Sequence, residues 1–233
     1  MAHAHNAVLR GVNSIYLQAP NVKKEKDIED LLFLTKVWTK WLINHHEIEE
    51  DRIFPGFEKI IGKPGLLKVN VEQHHIFSGG LEDLLAYATS TSPKDYSSEK
   101  LRAIIDGFSK PLCTHLHEEI DTLLSLRSYD GPALLKIWKE NNRPNSKELP
   151  TVSTVFLGLT GRLLTWHVVI QTEVVPLFLG LRDKTFQGGN NWPDNMPGFV
   201  PYIADWILTR GHRSVWRLLP CDMYGKPQPL PFA

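Results

Sequence analysis

The chain has 233 residues, a mass of 26.6 kDa and a formal net charge of zero, with 26 basic and 26 acidic residues. That length is enough to bury a sizeable core. No basic surplus or polybasic tract points to nucleic acid or to an anionic membrane surface. The two cysteines, Cys113 and Cys221, lie far apart and form no CxxC, which excludes a disulfide framework and a zinc knuckle and suits a reducing, cytoplasmic setting. The opening Met-Ala-His-Ala-His-Asn shows no basic stretch followed by an apolar one, so no signal peptide is expected. The most apolar run, 152–181, is interrupted by Arg162, His167 and Glu173 and by Gly158, Gly161 and Pro176, which a membrane span tolerates poorly.

In chain order, Val8, Leu9, Val12, Ile15 and Tyr16 follow a helical period from His5, and Pro20 closes this first helix. A long second helix is expected from Asp27 to Ile61, ended by Gly62-Lys63-Pro64-Gly65. A third runs from Leu66 to Ala88, and a polar connector around Pro93 leads to a fourth over Ser98–Leu126. Short connectors between amphipathic helices favour antiparallel neighbours. The fold class expected is therefore all-α: an up-down four-helix bundle over residues 1–127, with an irregular, partly helical C-terminal extension over 128–233 packed on it. In that extension a short helix near Pro132–Glu140 precedes a polar linker, Asn141–Pro150, and one more helix is expected over Val200–Trp216.

Each of the four bundle helices carries a histidine on its apolar face: His5, His45, His74 and His115. Two of them, His45 and His115, have a glutamate four residues later, Glu49 and Glu119. An i, i+4 pair lies one above the other on a helix, so both side chains can reach one ion. Imidazole and carboxylate together suit iron, manganese or zinc. At about 100° per residue, Leu34, Trp38 and Trp41 fall within roughly 40° of His45, whereas His46 and Glu50 are displaced by about 100° and 140°. The inward pair of the second helix is thus expected to be His45 and Glu49. On the fourth helix, Leu101, Ile104, Phe108 and Leu112 share a face with His115 and Glu119, and His117 points away. Ser78 shares the stripe of His74, and His75 stands as a substitute ligand. A lone histidine on an apolar stripe is usually a core residue with one hydrogen bond. Four such stripes with two glutamates are another matter, because burying carboxylates without a cation costs several kcal/mol each.

His5-Asn6, the run His45-His46-Glu47-Ile48-Glu49-Glu50-Asp51-Arg52-Ile53-Phe54-Pro55, Glu72-Gln73-His74 and His115-Leu116-His117-Glu118-Glu119-Ile120 resemble the hemerythrin family, in its HHE cation-binding branch. The tail from Trp216 to Pro227 is similar to the extension of fungal members. The resemblance implies two irons inside the bundle, one on His5 and His45, the other on His74 and His115, with Glu49 and Glu119 bridging. It also implies a small oxidant such as O2, peroxide or nitric oxide as partner, with a small-molecule substrate if the protein is an oxidase or oxygenase. Trp192, Phe199, Tyr202, Trp206 and Trp216 are candidates for the walls of a substrate cavity. Ser78 stands where the family usually carries a second third-helix histidine, which weakens the case for a simple oxygen carrier. A metal or redox sensor, an iron store and a metal-free relative are the alternatives.

Overall fold

The computed structural model describes residues 1–141, 170–191 and 196–233. Helices α1 (Ala2–Gln18), α2 (Glu25–Ile48), α4 (Lys68–Ser90) and α5 (Ser98–Ser125) form the bundle, and α3 (Phe54–Ile61) continues the line of α2. Helix α1 packs on α2 and α5, and α4 packs on the same two, so the four enclose one interior. The all-α expectation holds, with no β-strand among the described residues. No helix among them is long and apolar enough to cross a membrane.

Local chemistry sets the helix ends. The Ser97 hydroxyl accepts from the Lys100 amide and caps α5. Gly62, at φ 72°, takes the left-handed conformation that ends α3 and sends its N–H to the Glu58 carbonyl. Between the helices the apolar stripes meet: Val8, Ile15, Leu31, Leu34, Trp38, Phe77, Leu84, Phe108 and Leu112 are all nearly excluded from solvent. Each such side chain contributes roughly 1.5–3 kcal/mol relative to exposure. Gly11 lets α1 approach α2 closely, since a Cβ there would lie 2.3 Å from the Trp38 ring.

The long second helix is not continuous. Residues Glu49–Ile53 form a π turn between α2 and α3, closed by the Phe54 N–H donating to the Glu49 carbonyl. Pro55 supplies a reason: it has no N–H for Asp51, and its ring would press on that carbonyl in a regular helix. A second π turn, Ile170–Val174, stands in the same relation to Pro176. Pro111 sits inside α5, so proline alone does not impose the turn.

Helix α6 (Gly131–Asn141) packs against α3, with Leu134 beside Ile53, Phe54 and Phe57. The later residues return to the main core, where Leu177, Leu179, Leu181, Leu218 and Leu219 are fully buried among the bundle side chains. Helix α7 is Val175–Leu181, and the helix expected over Val200–Trp216 is in three pieces: α8 (Val200–Trp206), a 3-10 segment (Leu208–His212) and α9 (Arg213–Trp216). Ile207, at φ −120° and ψ −56°, breaks the helical geometry, and Gly211 adds a poor helix former.

Candidate metal centre

The four inward histidines and two glutamates converge in the bundle interior. Glu49, Glu119 and His115 are fully buried, His5 and His74 are 2% exposed, and the His45 side chain is 10% exposed. His5 Nε2 lies 2.9 Å from a Glu119 oxygen and His45 Nε2 lies 3.2 Å from Glu49 Oε1. The other Glu49 oxygen faces His74 Nε2 at 3.8 Å, so this carboxylate turns one oxygen toward each side of the cluster.

Hydrogen bonds fix which imidazole nitrogens carry protons. His5 Nδ1 lies 2.7 Å from the Leu116 carbonyl, which only accepts, so Nδ1 holds a proton and Nε2 is the nitrogen turned to the cluster. His74 Nδ1 donates to Glu50 Oε1 at 2.7 Å. His115 Nδ1 donates to Gln73 Oε1 at 3.1 Å, and the Gln73 amide nitrogen, directed to Glu118, sets that orientation. The Nε2 atoms of His74 and His115 then face each other at 3.0 Å as two lone pairs. Burial, helped by the neighbouring imidazoles, lowers His45 and His46, and burial likewise lowers His74 to about 4 and His115 to about 3, so these rings stay neutral and free to ligate. Burial, reinforced by Glu119, pushes Glu49 well above the usual carboxylate range.

These atoms are electron-pair donors aimed at one another. Among the described residues, His5 Nε2, His45 Nε2, His46 Nε2 and both oxygens of Glu49 and of Glu119 are buried without a hydrogen-bond partner. Leaving a buried polar atom unsatisfied costs about 1–3 kcal/mol, more for a charged one. A shared cation meets all of them at once, so the donor set fits a metal ion.

The phase argument for α2 needs correction. His46 is 5% exposed, with its ring 4.3 Å from that of His74 and 5.5 Å from that of His115. The nearest ligand atoms of His46, Glu49, His74 and His115 all lie within 4.8 Å of one another. Glu50, expected to point away, turns inward to hold His74. The π turn starting at Glu49 adds a residue to the turn and re-aims Glu50, which lies within it. His46 precedes the turn, inside regular α2, and is covered because His74 of α4 and His115 of α5 pack against that flank of the helix. Ser78 is also placed differently: it is only partly buried and bonds to the His75 carbonyl of its own helix, while Phe77 takes the inward position against His46, His74 and His115. His75, the expected substitute, is exposed.

His117 is exposed, as expected, and bonds to the Cys113 carbonyl. His212 stacks on Phe33 at 4.0 Å. The proposed aromatic walls do not form as expected: Phe199, Tyr202 and Trp206 are exposed, Trp216 is buried in the core, and Trp192 lies outside the described residues, as does His167. Trp41 stacks over His45 instead, with Phe178 against Trp41 at 5.0 Å. His46, Glu50 and Gln73 are the residues that helical phase missed. Their one signal in sequence is that His46 and Glu50 repeat the i, i+4 spacing just ahead of Pro55.

A family model for the hemerythrin HHE cation binding domain matches residues 1–126. The chain belongs to that family. This hemerythrin-family chain is also 38% identical over 232 residues to the dimeric xanthone biosynthesis cluster protein R11 of Cryptosporiopsis sp. (strain 8999), covering 100% of this chain and 81% of that protein. No solved structure matches it.

Proposed function

We propose that the chain holds two iron ions between α1, α2, α4 and α5 and binds or activates a small oxidant such as O2, peroxide or nitric oxide there. The observation that carries this reading is the convergence of buried imidazole and carboxyl atoms without hydrogen-bond partners, with His5 Nε2 at 2.9 Å from Glu119 and the His5 Nδ1 proton committed to Leu116. His5, His45, His74 and His115 would supply imidazoles, and Glu49 and Glu119 carboxylates facing both sides. Bound iron supplies the redox chemistry, since non-haem iron with histidine and carboxylate donors and open positions reacts with oxygen. The protein's own part is to orient the imidazoles and, by burial, to keep His45, His74 and His115 neutral. Leu116, Glu50 and Gln73 fix the ring tautomers, and Phe77 and Trp41 keep the surroundings apolar.

The relative's name places that protein in a dimeric xanthone biosynthesis cluster. That supports a reading in which this chain directs its oxidant at a small aromatic molecule, in a cytoplasmic setting. The test is to load the purified protein with ferrous iron without air, count the iron, and then admit air or nitric oxide in a spectrometer. Stoichiometric iron with a new visible absorption supports the proposal. Stoichiometric iron with no spectral change and no consumption of oxidant leaves a metal store or sensor, and failure to retain iron removes the reading.

A further inference from the structure

The packing of α4 and α5 against α2 brings a histidine into the centre that neither helical phase nor the family resemblance assigns to it. We propose that His46 is a direct metal ligand, giving the His74/His115 side of the centre a third imidazole. The inference rests on the metal-centre reading above. Three observations support it.

First, His46 is enclosed by His74, His115 and Phe77, with ring separations of 4.3, 5.5 and 5.1 Å. Second, its Nε2 is buried and has no hydrogen-bond partner among the described residues. A histidine placed there only to pack would be expected to satisfy that nitrogen or leave it to water. Third, its ligand atom falls with those of Glu49, His74 and His115 in one group whose members lie within 4.8 Å of each other, a spread that one ion's ligand shell can span. On α4, Phe77 rather than Ser78 occupies the position facing His46.

The resulting centre is uneven. His46, His74 and His115 with one Glu49 oxygen serve one side. His5 and His45 serve the other, with Glu119 and the second Glu49 oxygen. The imidazole that Ser78 does not provide from α4 therefore comes from α2.

Cobalt(II) separates this proposal from a packing role, because its visible spectrum reports coordination without any turnover. The wild-type chain, His46→Gln and His45→Gln are titrated with cobalt(II) against a competing chelator, and circular dichroism of each metal-free protein checks the fold. His46→Gln is expected to weaken one binding step by about tenfold or more, the size already seen when only a ligand's supporting partner is lost, and to change the cobalt absorption of that step. His45→Gln is expected to weaken the other step. Should His46→Gln fail to fold, His46→Phe takes its place, since an aromatic ring can pack against Phe77 without ligating. Equal affinities and an unchanged spectrum for wild type and the folded His46 variant overturn the proposal. A wild-type protein that takes up no cobalt and no iron overturns the metal-centre reading itself, a different outcome from an indifferent His46.

Discussion

Helix α2 buries carboxylates at both of its ends, and the two ends are neutralised in opposite ways. Near its start, Asp30 is 1% exposed and receives Lys26 at 2.7 Å, Arg217 at 2.6 Å and the Ser214 hydroxyl at 3.0 Å. Arg217 also reaches Asp27, so the C-terminal segment brings a cation back to the bundle. Burial alone would raise Asp30, but the hydrogen bonds from Lys26, Arg217 and Ser214 outweigh it and hold the carboxyl below its ordinary value. At the far end, Glu49 is fully buried beside Glu119, and among the described residues imidazoles, with no Lys or Arg, face the pair. The chain thus completes one acidic site with its own cations and leaves the other to an ion from outside. A buried acid with its cation built in is architecture; one without is a binding site.

The largest expected effect comes from removing the uncompensated charge. Glu49→Gln combined with Glu119→Gln is expected to drop bound iron below about half an equivalent by elemental analysis, because the site loses its anionic donors. The same variant should melt higher than the metal-free wild type, since neutral amides replace carboxyls whose ionisation the buried site opposes. Full iron retention would break the comparison.

Chelating the wild-type protein tests the same end from the other side. At about a thousandfold ligand excess over Kd, binding adds about 4 kcal/mol, and each kcal/mol moves Tm by about 2–4 °C for a chain of this size. A loss on the order of 8–16 °C by calorimetry is expected on chelation, and an unchanged Tm would argue against ion-coupled packing.

At the self-contained end, Arg217→Ala is expected to cost about 1–2 kcal/mol in denaturant unfolding, below the full value of a charged hydrogen bond because the arginine is one-third exposed. Iron content should stay unchanged; a variant that also loses iron would show that the two ends are not independent.

The smallest expected effect is on pH. In the metal-free protein, His45 and His115 titrate near 3 and His74 near 4, while unfolded histidines titrate near about 6.5. Between those values the unfolded chain binds more protons, so stability falls as pH drops through that window. Glu49, raised in the fold, acts in the opposite sense: its contribution is present below the ordinary carboxylate value and lost as pH rises through its raised one. Burial raises Glu50 too. With four lowered imidazoles against these two carboxyls, the metal-free Tm is expected to fall between about pH 7 and pH 5, whereas Asp30, already lowered, should contribute nothing in that range.

Much of the bundle was legible because a regular helix repeats locally. The 3.6-residue period placed His5, His115 and Glu119 inward and His117 outward, and the structure buries or exposes each of these accordingly. The same arithmetic failed at Glu50 because it assumes one turn geometry throughout, and at His46 because two neighbouring helices cover a wider arc of α2 than one apolar stripe marks. The Asp30–Arg217 contact was illegible for a different reason: its partners lie 187 residues apart, and only the return of the chain to the core joins them.

What residue order determined by itself is therefore the helical class, the apolar faces and the donor types, since these follow from side-chain chemistry at a fixed local period. The tertiary structure alone decided that α4 and α5 enclose His46, that a π turn carries Glu50 to His74, that Phe77 displaces Ser78 from the interior, and that Arg217 settles on Asp30. Those outcomes depend on how neighbouring helices crowd and satisfy one another, and a one-dimensional pattern carries no measure of that competition.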